Sequence, residues 1–289
     1  VSNDAAVGRR GRIVLVGTPI GNLGDLAPRA IDALTTADVV ACEDTRRTGR
    51  LYQLMGITPP RFVRLDDHTE ATEAPKLVDR AAAGEVVALV SDAGLPGLSD
   101  PGGRTVALAA ERGVLVEVVP GPFAGAVAVV ASGLLDGAGR FCFEGFLPRK
   151  GLERSARLSE IAKERRPVVI YEAPHRVVAT INDLIGVVRA DRRIALCREL
   201  TKMHEEIWRG SLGDAAQRVA EIAPRGEYVL VLDGAEPPAP ATDSELSDAL
   251  AQAIAAGMSR RDAAAAVARD QSESPNRLKR LVAELDRSD

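Results

Sequence analysis

Aromatic side chains make up only 3% of the 289 residues, with a single tryptophan. Histidine and cysteine are as scarce, three of each. His68, His175 and His204 are too scattered to propose a metal site, and none is expected. Cys42, Cys142 and Cys197 are odd in number and widely spaced. That argues against a disulfide framework or a zinc site and for a reducing, cytoplasmic setting. No unbroken apolar run reaches the roughly 18 residues that a membrane-spanning helix needs. The opening stretch, 1–11, is polar and basic with no apolar segment behind it, so no secretory signal is expected. An excess of basic charge is missing as well: 37 Lys and Arg stand against 41 Asp and Glu, a formal net charge of −4. The overall balance gives no pointer to nucleic acid, although a local basic face matters more than the total.

What the chain does have is 46% hydrophobic residues, enough for a large core, and a length that fits one to three domains. Short runs rich in Val, Ile and Leu at 12–16, 39–42, 62–65, 86–91 and 115–119 read as buried parallel strands. Helical periodicity at 28–34, 45–54, 73–82 and 105–111 separates them, as in βαβ units around a mostly parallel sheet. Pro120-Gly121-Pro122 marks a break, followed by a small-residue helix at 124–132. Strand runs recur at 141–145, 168–171, 194–197, 206–209 and 228–232, with helices at 153–163, 177–187 and 212–223. Some of these strands follow one another directly, so a mixed second sheet is expected. The Pro/Ala-rich stretch 234–243 reads as a linker, and 244–287 as three short helices. Ser259 with Asp262 has the form of a capping box, and Ser274-Pro275 supplies an N-cap and a first-turn proline. The expected domains are 11–120, 121–235 and 244–287.

The chemistry-bearing residues gather after strand ends, where open α/β sheets place ligands. Gly17, Gly21 and Gly24 follow the first strand. Their spacing is neither the dinucleotide fingerprint nor a P-loop, but such glycines let a backbone turn tightly and approach a ligand. Glu43 and Asp44, followed by Arg46 and Arg47, end the second strand; Asp44 or Thr45 also suits a helix cap, which leaves Glu43 and Arg46 unexplained. A long Gly/Pro loop, 91–102, carries Asp92 and Asp100, and loops of that length in compact domains are usually functional. Pro120-Gly121-Pro122-Phe123-Ala124-Gly125 opens a helix at the domain break, a common place for a ligand cleft. Tyr171-Glu172-Ala173-Pro174-His175-Arg176 and Arg198-Glu199-Leu200-Thr201-Lys202 each set a carboxylate beside a cation. Basic groups cluster at Arg46, Arg47 and Arg50 and at Arg149, Lys150, Arg154 and Arg157. The clusters from Lys163 and in the tail read as solvated helix faces.

Taken in order across 17–234, the segments GTPIGNLGDL, CEDTRRTGRL, LVSDAGLPGLSDPG, PGPFAGAVAVVASGL, FEGFLPRKG, YEAPHR, RELTK and PRGEYVLVLDG resemble the rRNA small subunit methyltransferase I family. That family belongs to the tetrapyrrole methylase (class III methyltransferase) superfamily. The resemblance spans nearly the whole chain, including the helical tail. It implies two α/β domains plus a small C-terminal helical bundle, a homodimer, and S-adenosylmethionine bound in the cleft between the domains. The implied reaction is 2′-O-methylation of a cytidine in the decoding centre of 16S rRNA, within the 30S subunit, in the cytoplasm and without a membrane. By the same resemblance the cofactor contacts are Pro19, Gly21, Ser91, Asp92, Ala93, Gly94, Leu95, Gly121, Phe123, Ala124, Tyr171, Glu172 and Leu200. The family pattern carries Thr, Ala and Ser where this chain has Leu95, Cys42 and Phe123, and an HNE-like segment where it has His68-Thr69-Glu70.

A ribose hydroxyl is a poor nucleophile until its proton is drawn off, so a carboxylate or a desolvated lysine is expected near the methyl group. Asp44, Glu43, Glu172, Glu199 and Lys202 are equal candidates. Arg46, Lys150 and Arg176 are expected to hold RNA phosphates. Three rivals stand beside this reading: a methyltransferase of the same fold acting on a tetrapyrrole or other small molecule, a nucleotide-dependent oxidoreductase, and a non-enzymatic RNA-binding module. The glycine spacing counts against the second, and the paired carboxylates against the third.

Overall fold

The computed structural model describes residues 10–135, 137–236, 241–271 and 273–285. Most of the opening stretch, the middle of the expected linker and the last residues of the expected third tail helix lie outside them. Two compact units divide at Ala235/Glu236, and both sheets belong to the first.

The first sheet has the order β3-β2-β4-β1-β5, from β1 (Arg12–Val16), β2 (Val39–Cys42), β3 (Arg61–Arg64), β4 (Val86–Val90) and β5 (Leu115–Val119), and every pair is parallel. Alternate residues of a strand point to opposite faces. On one face Val14, Val40 and Ala88 pack with Leu34 of α1 (Pro28–Thr36) and Tyr52 of α2 (Thr45–Met55). On the other, Ile13, Ala41 and Val87 pack with Leu77 of α3 (Glu70–Ala82) and Ala109 of α4 (Gly103–Glu111). Burial on both faces is why the central strands β1, β2 and β4 read as continuous apolar runs. Because all five strands run one way, the loops after β1, β2, β4 and β5 emerge at the same edge.

The second sheet has the order β6-β7-β10-β8-β9, from β6 (Cys142–Phe146), β7 (Val168–Glu172), β8 (Arg193–Arg198), β9 (Glu206–Ser211) and β10 (Tyr228–Leu232). Its β6/β7 pair is parallel and the other three are antiparallel, so it is mixed. Ala128 and Val129 of α5 (Ala124–Ser132) cover one face with Val169, Ala195 and Val231. The other face packs on α6 (Gly151–Lys163), α7 (Pro174–Ile185) and α8 (Leu212–Glu221) through Leu158, Ile181 and Leu212.

Helix starts differ most from expectation. α3, α6 and α7 begin three, two and three residues earlier than their periodicity suggests, because their first turns are polar and show no apolar repeat. The α3 entry is closed by Asp66, whose carboxylate accepts the N–H groups of His68 and Thr69 at 3.0 and 2.9 Å.

The second unit holds α9 (Asp243–Ala255), α10 (Arg260–Asp270) and α11 (Pro275–Leu285) around Leu246, Leu250, Val267, Leu278 and Leu281. α9 starts inside the stretch read as linker: Thr242 and Glu245 form a reciprocal capping box. Ser259 caps α10 by accepting the Asp262 N–H at 3.1 Å. No helix among the described residues is long and apolar enough to cross a membrane.

Candidate active site

Four loops at the shared edge of the first sheet are tied together by backbone bonds. Thr18 and Gly94 exchange N–H···O bonds of 2.8 and 3.1 Å, with Gly94 in the left-handed region at φ +84°. Gly17 donates to Val119 O at 2.9 Å, and its backbone lies directly against Gly121, so that a Cβ on Gly17 would stand 2.5 Å from the Gly121 Cα. Asp92 reaches the loop after β2: Oδ1 accepts the Asp44 N–H at 3.1 Å, and Oδ2 lies 3.2 Å from an Arg47 nitrogen. The far end of the 91–102 loop is fixed by Glu70, whose carboxylate accepts the Gly102 N–H at 3.0 Å.

Between these loops and the second sheet lies a cavity of about 500 Å³. Asp92, Ala93, Gly94, Leu95, Phe123, Ala124, Tyr171, Glu172 and Leu200 line it together. Three rings of its wall, Phe123, Tyr171 and Phe146, are linked edge to face, the first two through Phe143 behind them: Phe123 with Phe143 at 4.9 Å, Phe143 with Tyr171 at 5.0 Å, and Tyr171 with Phe146 at 5.6 Å. The Tyr171 hydroxyl accepts the Gly125 N–H at 3.0 Å, joining β7 to the start of α5, and burial pushes its pKa up to about 12. Pro19, Gly21 and Ser91 line a neighbouring cavity of about 310 Å³ that shares Arg47 and Asp92 with the first. Gly121 lines neither; its place is against Gly17.

The five candidate proton acceptors separate in space. Glu43 lines the cavity, and burial, with the nearby Asp92 and Asp67 charges, raises its pKa. Asp44 faces away: its carboxylate caps α2 through the Arg46 N–H at 2.8 Å. Hydrogen bonds from the Arg46 side chain and backbone hold its pKa down at about 2. Glu172 lines the cavity but is fully engaged, accepting from Thr180 Oγ1 at 2.6 Å and Ala173 N at 3.0 Å and pairing with Arg176 at 3.2 Å. Glu199 and Lys202 are outside the cavity lining. Lys202 Nζ lies 2.9 Å from Glu199 and 2.7 Å from Glu227. Burial lowers its pKa, but the hydrogen bonds to Glu227 and Glu199 outweigh that and the net shift is upward. It is therefore a charged ammonium and no base. The backbone there is strained, with Glu199 at φ +49° and Thr201 at φ +66°, which brackets Leu200 where it meets the cavity.

The arginines also divide. The Arg46 side chain is 91% exposed and Lys150 is exposed at the start of α6. Arg176 is turned inward, donating to Leu147 O at 2.7 Å beside its bond to Glu172. Its side chain is still 20% exposed, and it lines a surface cavity with Arg149 and His175. Leu98, Ser99, Asp100, Phe146 and Asp67 also line the cavity, and sequence reasoning does not place them there. The one signal is the spacing of Asp92 and Asp100 in one long loop. Asp100 is held there by the loop itself, since Gly97 N donates to Pro101 O at 3.1 Å. Burial and the charges of Glu43, Asp92 and Asp67 push its pKa up to about 7, against a hydrogen bond from Ser91.

Residues 12–216 match the family of tetrapyrrole (corrin/porphyrin) methylases, so the fold is of that methyltransferase class. Solved structures of the same fold include uroporphyrin-III C-methyl transferase from Thermus thermophilus, with TM-score 0.57, 21% identity, and cover of 77% of this chain and 97% of that one. A cobalt precorrin-4 methyltransferase matches with TM-score 0.59, 16% identity, and cover of 80% and 98%. Curated relatives are nearer. The chain is 42% identical over 278 residues to the ribosomal RNA small subunit methyltransferase I of Synechocystis, covering 96% of this chain and 99% of that protein. It is 46% identical over 262 residues to the one of Mycobacterium tuberculosis, covering 89% of each. The chain belongs to the ribosomal RNA small subunit methyltransferase I family.

Proposed function

We infer that the protein transfers a methyl group from S-adenosylmethionine to the ribose 2′-oxygen of a cytidine in the decoding centre of 16S rRNA. It acts on the 30S particle, in the cytoplasm and as a homodimer. The observation that carries this reading is the single cavity in which Asp92–Leu95, Phe123, Tyr171 and Leu200 meet, in a chain of this family. The cavity's make-up fits that cofactor. Leu95, Leu200 and the aromatic wall offer apolar and π surface for a base and a thioether chain. Glu43 and Asp92 supply negative charge beside a sulfonium.

When bound, the cofactor supplies the electrophilic methyl group. The chain's part is to hold donor and acceptor in line, to exclude water and to take a proton. Backbone groups of 93–95, pinned by the Thr18–Gly94 bonds, are the rigid floor. Arg46 and Lys150 meet RNA phosphates from the solvent side, which reconciles an acidic chain with a polyanionic substrate.

The test is methyl transfer from labelled S-adenosylmethionine to 30S particles lacking the modification, with nuclease mapping of the product. Labelled 2′-O-methylcytidine in the decoding-centre helix is the expected result. Cofactor binding without label in RNA overturns the acceptor and leaves a small-molecule substrate to find.

A further inference from the structure

We propose that Asp100 is the catalytic residue that accepts the proton of the acceptor hydroxyl, in a cavity lined also by the carboxylates of Glu43, Asp67 and Asp92. The proposal rests on the methyl-transfer reading above and adds the base, which that reading leaves open.

Elimination within the cavity comes first. Glu172 has its carboxylate filled by Thr180, Ala173 and Arg176. Asp92 gives one oxygen to the Asp44 N–H and the other to Arg47. Asp44, Glu199 and Lys202 are absent from its lining. Glu227, also in the lining, is paired with Lys202 at 2.7 Å. Glu43, Asp67 and Asp100 remain, and they differ in the loops that carry them. Glu43 feels Asp92, Asp67, Arg47 and Asp66, all groups of the first sheet's loops. Asp67 follows β3 of that same sheet, whereas the loop that carries Asp100 meets the second sheet through Ser99, whose hydroxyl occupies the place of a Cβ on Gly145 of β6. Asp100 is thus carried by the loop that joins the first sheet's edge of the cavity to the second sheet.

The loop presents Asp100 rigidly. Its neighbour Ser99 sits at φ +63°, and the Ser99 hydroxyl fills the space left by the missing side chain of Gly145, at the bulge of β6. Glu70 and the Gly97–Pro101 bond hold the loop's other side. Among the described residues Asp100 has no ion-pair partner. The groups that face it are Glu43, Asp92, Asp67 and Tyr171, three of them acids. They make its carboxylate more basic than an ordinary one, so that it ionises near neutral pH while still drawing a proton.

The step balances. The 2′-oxygen–carbon bond forms as the carbon–sulfur bond breaks, the electron pair of that bond stays on sulfur, and the hydroxyl proton passes to the Asp100 carboxylate. Solvent takes that proton before the next turnover.

Two variants and two readouts test the assignment. In Asp100→Asn, methyl transfer to 30S particles falls at least about 100-fold, while the calorimetric affinity for S-adenosylmethionine stays within tenfold. In Glu43→Gln, removal of a like charge lowers the Asp100 pKa, so the acid limb of the pH–rate profile moves to lower pH. Independently of activity, carbon NMR of the cofactor-free protein shows an Asp carboxyl titrating near pH 7. That signal is missing in Asp100→Asn and shifted down in Glu43→Gln. An active Asp100→Asn variant, or a Glu43→Gln profile identical to wild type, overturns the assignment. A wild-type protein that methylates no RNA overturns the functional reading instead, and the assignment with it.

Discussion

Glu70 Oε1 accepts both the backbone N–H and the hydroxyl of Thr105, at 3.2 and 3.3 Å. The same oxygen takes the N–H groups of Gly102 and Arg104, each at 3.0 Å. Helix α4 has no capping side chain of its own, because its N-cap is Gly102. A buried carboxylate from α3 stands in for it and satisfies the orphan donors of the first turn. Replacing Glu70 with alanine strands those donors in a site that is only 7% exposed. The expected loss is about 2–3 kcal/mol, or roughly 4–12 °C in melting temperature for a chain of this size. Glu70→Gln keeps an acceptor and loses less. Equal melting curves for wild type and Glu70→Ala would refute the cap.

Asp92 ties the loop after β4 to the loop after β2. Its Arg47 partner is 64% exposed, and such pairs contribute well under 1 kcal/mol, so Asp92→Ala changes stability little. The cost falls on the cavity, whose wall it forms. Calorimetry is expected to show at least tenfold weaker S-adenosylmethionine binding in this variant. Unchanged affinity removes Asp92 from the cofactor's contacts.

The three cations expected to hold RNA separate into two behaviours. Arg176→Ala leaves the Glu172 carboxylate, 0% exposed, without its counter-charge, and about 3 kcal/mol of stability is expected to go. The double variant Arg46→Ala with Lys150→Ala leaves the fold alone. It weakens RNA binding and flattens the salt dependence, by roughly 0.7–0.9 in slope for each phosphate no longer neutralised. A salt series of binding constants beside a melting curve distinguishes the two; an unaltered slope in the double variant would remove both cations from the RNA interface.

Where an apolar run ends at a Gly or Pro, the sequence marks the element to the residue, as at β1, β5 and α5. The starts of α3 and α7 are hidden because first turns such as Glu70-Ala71-Thr72 and Pro174-His175-Arg176 carry no apolar repeat. They are held by local bonds instead. Three acid–base candidates are ambiguous in sequence for a related reason. Asp44 and Glu199 are answered by Arg46 and Lys202, two and three residues further on, and nearby opposite charges of this kind more often satisfy each other than a substrate. Asp100 is marked in the sequence only as the second acid of a long Gly/Pro loop; Glu43 and Asp67, which line the cavity with it, come from two other loops that its own segment does not reveal.

Gly17 and Gly121 set the closeness of the loops that carry Pro19–Gly21 and Phe123. A Cβ on Gly121 would come 2.6 Å from the Gly17 Cα, where carbon atoms in contact prefer about 3.5–4.0 Å. Neither glycine is needed for a left-handed φ; the constraint is distance. Gly121→Ala must push the two loops apart, at about 1–3 kcal/mol, and it carries Phe123 away from its place beside Phe143. Stability and S-adenosylmethionine affinity are expected to fall together. Gly103 is the control, since a Cβ there meets nothing within 4 Å and alanine suits a helix better than glycine by roughly 0.5–1 kcal/mol. Gly103→Ala is therefore expected to melt at or above the wild-type temperature. If Gly121→Ala melts and binds like Gly103→Ala, the backbone contact between the two loops is not what shapes the cavity.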